Sequence, residues 1–190
     1  METLRGRDMW EFWGRWVIAT FIGWVGGFIL AIVLSYSVVN FFYPKETNLI
    51  VGACLGGTVS FSQRFAIRRW LDLGPIYVWG AVIGIGIPFA ITVLMSEWGA
   101  ALGPTESILL LATGALACGL LQARALRIPF GGMYVWPLIT MLVWTGAWLI
   151  SRVPNNYGIV GATAIHGIVS GGTLIWLLGQ RWKSNPGVPG

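Results

Sequence analysis

Gln63, Gln122 and His166 are polar groups set deep in apolar runs, and Arg64, Arg68, Arg124 and Arg127 stand near the ends of those runs. An amide in hydrocarbon needs a hydrogen-bond partner. Each glutamine therefore either pins one helix to another or lines a pocket that a ligand enters. His166, the only histidine, carries the same choice: a neutral ring bonded to a neighbouring helix, or an axial ligand to a haem or pigment metal. The neutral, bonded ring is the expectation. The arginines suit anions, either inner-leaflet phosphates reached by snorkelling or the charge of a bound ligand.

Other chemistries lack their parts. Cys54 and Cys118 fall in separate apolar runs and read as small buried residues. With a single histidine they form no zinc or iron–sulfur spacing, so no metal and no cofactor is expected. No Ser/His/acid or Cys/His set can be assembled. Glu46, Glu97, Glu106 and Asp72 all lie in connections, which argues against proton- or sodium-coupled transport. Gly84-Ile85-Gly86 sits inside an apolar helix and not at a strand–turn–helix junction, so it is no dinucleotide fingerprint. The residues predict no enzyme.

The glutamines belong to a repeat. Gly56, Ser60, Gln63 and Arg68 read small-x3-small-x2-Gln-x4-Arg, and Ala115, Gly119, Gln122 and Arg127 read the same. A degraded third copy has Gly167 and Gly171 in the small positions and Leu174 in place of the glutamine. Gly52 extends the first ladder by one step. Small residues four apart let helices approach closely in a membrane. Matching aromatic openings precede these segments at Trp16-Val17, Tyr77-Val78-Trp79 and Tyr134-Val135-Trp136.

The elements that position these groups must be membrane helices. The 190 residues are 56% hydrophobic and 10% charged, with a mean hydropathy of +0.73; soluble domains carry about 25% charged residues. The net charge of +5 does not indicate nucleic acid, because the arginines cluster at the ends of apolar runs. Six spans are predicted, over 16–42, 49–67, 76–95, 108–126, 134–150 and 159–178, each near the ~20 residues that cross ~30 Å of hydrocarbon. The first is too long for a signal-peptide core. Residues 1–15 read as a polar cytoplasmic lead, with Trp10, Trp13 and Trp16 as an aromatic belt. Residues 183–190 read as a disordered tail. Pro88 should kink the third span, whereas Pro137 falls in the first turn of the fifth, where it costs little.

Short connections make neighbours antiparallel, giving hairpins at 16–69, 76–127 and 134–180 that all insert the same way. The even helices are expected inside and the odd ones outside. With the N-terminus inside, ten Lys and Arg residues lie on the inner side, and only Lys45 and Arg152 on the outer. Both termini are thus predicted to be cytoplasmic.

The Gln-x4-Arg ends, the aromatic-Val openings and the closing GGTLIWLLGQRW resemble a family of uncharacterised multi-pass bacterial membrane proteins frequent in cyanobacteria and Chloroflexi. The resemblance covers most of 16–182. It implies a bacterial plasma or thylakoid membrane and no nameable activity. Phe65 and Arg124 replace aliphatic residues of the family pattern, and Arg64 or Ala123 stands where its Trp follows the Gln. The expected function is non-enzymatic: helix–helix interaction within the lipid bilayer, as an accessory subunit of a larger membrane complex or as a homo-oligomer. The alternative is a small-molecule carrier resembling the vitamin-capture subunits of energy-coupling transporters, with a pocket between the even helices. A cavity lined by the two glutamines would favour the carrier, and a packed interior the interaction protein.

Overall fold

The computed structural model describes residues 6–39, 47–100, 102–128, 132–151 and 157–184. The described residues form six α-helices and no strands: α1 (Gly6–Val39), α2 (Thr47–Ile67), α3 (Ile76–Glu97), α4 (Pro104–Ala125), α5 (Val135–Ser151) and α6 (Tyr157–Ser184). Stretches within four of them, Asp8–Ser37, Ile76–Met95, Pro104–Ala125 and Val160–Gln180, are long and apolar enough to cross a membrane. The apolar part of α5, Val135–Ile150, is shorter. In α2 the hydroxyls of Thr58, Ser60 and Ser62, with Gln63 and Arg64, dilute the apolar content. Ile18, Ile29, Ile83, Leu109, Leu142 and Val160 are among many large apolar side chains turned outward, a surface that suits lipid and not water.

Each helix packs chiefly on its two neighbours in sequence, and α6 returns to α1, so the helices close into one ring. This corrects the expectation of an inner even trio. Odd and even helices are buried to a similar degree, about a third in α1, α3 and α4 and somewhat more in α6.

Glycine sets the spacing around this ring. A Cβ at Gly23 would lie 2.5 Å from Val59 Cα, at Gly56 2.5 Å from the Ala81 carbonyl oxygen, and at Gly119 2.5 Å from Pro137 Cα. Gly167 and Gly171 rest against Val17 and Trp16, and Gly52 against the Phe89 ring. Ala115 is fully buried. The small ladder on each even helix thus faces the odd helix that follows it around the ring. Pro88 lies within α3, which continues as helix on both sides of it.

Residues 6–15 are not a separate lead. They form the first turns of α1, where Phe12 is fully buried and meets the Trp70 ring at 5.5 Å. Trp16 is no belt residue either, being 0% exposed, while Trp10 is 72% exposed. A spacing of three falls short of the 3.6-residue turn, so six residues carry the side chain about 120° around the helix. α6 likewise runs through Ser184, past the start of the predicted tail; 185–190 and the predicted end of the first span at 40–42 lie outside the described residues.

Candidate functional site

Gln63, Gln122 and His166 meet in one layer near the middle of the ring, between two apolar clusters. On one side lie Phe12, Ile67, Leu71, Leu73, Leu126 and Leu177, with the connection after α2 folded inward through its two leucines. On the other side lie Leu55, Ala81, Ile85, Ala115 and Ala162.

Gln63 is 3% exposed. Its Nε2 donates to Thr20 Oγ1 at 2.9 Å, and its Oε1 accepts from Tyr77 Oη at 2.9 Å. Gln122, 5% exposed, makes the matching pair: Nε2 donates to Ser60 Oγ at 3.2 Å, and Oε1 accepts from Trp136 Nε1 at 3.3 Å. The two amides do not bond each other. Gln63 bridges α1 and α3, the helices before and after its own, whereas Gln122 reaches α2 through Ser60 and α5 through Trp136. The aromatic partner lies fourteen residues downstream in both copies. That spacing was visible in the sequence. The aligned pair is Tyr77 and Trp136, so the opening that matches Tyr77 is Trp136 and not Tyr134.

The third position is filled differently. Leu174 is fully buried among apolar side chains, and Ser170, one turn back, takes over. Its Oγ accepts from Trp16 Nε1 at 2.9 Å and donates to the His166 carbonyl. One turn further, His166 Nδ1 accepts from Trp24 Nε1 at 3.2 Å, across the seam between α6 and α1. An accepting Nδ1 carries no proton, so the ring is the neutral, Nε2-protonated tautomer. Trp24 and Trp144 enclose it edge-on, with ring centroids at 6.0 and 5.0 Å. No sequence spacing pointed to Trp24, because its partner lies 142 positions away.

The arginines are elsewhere. Arg64 is half-buried, while Arg68, Arg124 and Arg127 are exposed at the ends of α2 and α4. Arg68 lies 4.2 Å over the Phe65 ring. Arg127 has φ +51°, the left-handed position that closes α4, with Ile128 N–H reaching the Ala123 carbonyl. Arg15 and Arg69 share Glu11, at 2.8 and 3.6 Å. Cys54 and Cys118 are free and buried.

Trp16, Ser60, Gln63, Gln122, Thr140, His166 and Ser170 are among the residues around an enclosed cavity of about 10 Å³. Larger grooves, of about 380 and 410 Å³, open on the outer surface between α1 and α6 and between α1 and α2. Among the described residues, no three His, Cys, Asp or Glu side chains lie close enough to hold a metal ion.

The layer predicts a measurable cost. Gln63→Leu and Gln122→Leu should each lower stability by about 0.6–2 kcal/mol, the range for interhelical polar contacts. Leu174 already occupies the equivalent place, so leucine fits the position. Unfolding in mixed detergent micelles checks this, and singles that leave stability unchanged would contradict the bonding described.

Comparisons with protein-family models, curated proteins and solved structures find no match to this chain.

Proposed function

We propose that the chain is a non-enzymatic, six-span integral membrane protein of three parallel helix hairpins, acting through helix–helix contacts as an accessory subunit of a larger membrane complex. The observation that carries this reading is the filled interior. The two glutamines face a space of about 10 Å³, whereas small-molecule sites usually run to roughly 300–1,000 Å³. A vitamin-sized ligand has no room between the even helices. The larger grooves lie on the outside, where another helix or a lipid would sit.

The three-hairpin reading is supported by the order of the hydrogen bonds. An aromatic residue near the start of each odd helix (Trp16, Tyr77 and Trp136) donates to the even helix preceding it in the ring, at Ser170, Gln63 and Gln122 respectively. The ten-to-two charge count supports cytoplasmic termini, and the family resemblance supports a bacterial plasma or thylakoid membrane.

Native mass spectrometry after extraction in mild detergent tests the function. The expected result is this chain in complex with a further protein subunit. A bare chain, or one carrying a small molecule and no protein, would overturn the proposal. Topology has its own check: with Cys54 and Cys118 replaced, a cysteine at Ser184 should resist an impermeant thiol reagent added outside intact cells. Ready labelling there would reverse the orientation.

A further inference from the structure

The central cavity is surrounded by more hydrogen-bonding capacity than protein groups use. A carboxamide offers two N–H donors and two lone pairs. Gln63 and Gln122 each spend one N–H and one lone pair on side-chain partners. Ser60 Oγ accepts from Gln122, yet its own proton has no acceptor among the described residues. His166 Nε2, which bears the ring proton, has no hydrogen-bond partner among them either. These four side chains are 1–5% exposed, and all four line the cavity. Buried polar atoms left with unused donors in this way are uncommon in native proteins unless an ordered water serves them.

We propose that one water molecule resides in this cavity, bridging Ser60, the two glutamines and His166. The size fits, since about 10 Å³ is the space that one water occupies on this measure. The chemistry fits as well. The lining offers donors from Ser60, the amides and His166, and acceptors from the amide oxygens, a mixture that water alone satisfies on both sides. No Asp, Glu, Lys or Arg lines the cavity, so a bare ion would be buried without a counter-charge. The apolar clusters above and below close the axis. The water is therefore a resident part of the polar layer, exchanging only when the ring opens.

The chain has three glutamines, and Gln180 is exposed near the end of α6. With the side-chain amides ¹⁵N-labelled, cross-relaxation between water and amide protons can be read separately at each, its sign distinguishing it from chemical exchange. The full-length protein should show a peak from a long-lived water at Gln122, with Gln180 reporting fast surface hydration. Absence of a water peak at Gln122 while Gln180 shows one overturns the proposal. Ser60→Thr keeps the hydroxyl and puts one methyl group into the cavity. It should abolish the Gln122 peak and leave Gln180 unchanged. A Gln122 peak that survives in Ser60→Thr overturns the placement. If Ser60→Thr does not assemble, the wild-type spectrum decides.

Discussion

Trp16→Ala should lower stability by about 3 kcal/mol, the low end of the range for removing a buried tryptophan. The low end applies because lipid, unlike water, gives little hydrophobic return for burying a ring. What is lost is packing and one hydrogen bond. Trp16 is 0% exposed, stacks on Phe12 at 6.3 Å and meets Trp136 edge-on at 6.1 Å. It also fills the space beside Gly171, and its N–H ties α1 to α6 through Ser170. That seam is where the ring closes on itself. Trp16→Phe keeps most of the ring and removes only the donor, so it should cost about 0.6–2 kcal/mol. Reversible unfolding in mixed micelles measures both. If Trp16→Ala costs under about 1 kcal/mol, Trp16 does not hold the seam.

Gly114→Val should cost about 3 kcal/mol, the upper range for over-packing. A Cβ at Gly114 would run into the Gly84 carbonyl oxygen and the Pro88 ring of α3. Neither can yield as a flexible side chain would, because one is backbone and the other a closed ring. The contact is reciprocal, since a Cβ at Gly84 would lie 2.8 Å from the Gly114 carbonyl oxygen and 2.6 Å from Cys118 Cβ. The variant can fit only by moving α3 and α4 apart. Gly26 supplies the contrast, with nothing within 4 Å of its Cβ position. Gly26→Ala should therefore gain up to about 1 kcal/mol from helix propensity. Opposite signs at the two glycines are expected in the same unfolding assay; equal effects would mean that α3 and α4 are not in backbone contact.

Most helix bounds were legible because apolar run length is a strong signal. α2, α3 and α5 begin or end within two residues of the expected limits. The start of α1 was not, because residues 6–15 are polar in composition while still placing Phe12 and Trp16 four apart on one buried face. The glutamines were legible as bonded groups, since an amide in hydrocarbon has no other resting state. Their aromatic partners followed a fourteen-residue spacing across a turn, available in both copies but longer than any helical period. The pairing of Trp24 with His166 was not legible. It depends on α6 returning to α1, and ring closure is a property of the whole set of helices.

The unequal helix lengths bear on the surroundings of the protein. In α1 the last charged residue is Arg15, so the uncharged part of its candidate span, 16–37, rises about 33 Å, while Val135–Ile150 of α5 rises only about 24 Å. In the six-span arrangement proposed above, a bilayer core of about 30 Å matches the first and is too thick for the second. The acyl chains beside α5 would then have to shorten, at fractions of a kcal/mol per Å of mismatch. The ring would thus impose a thin sector on one side only. Short-chain lipids, or a neighbour with a narrow hydrophobic belt, relieve the strain at α5, so the sequence that sets six helix lengths also selects what stands next to them.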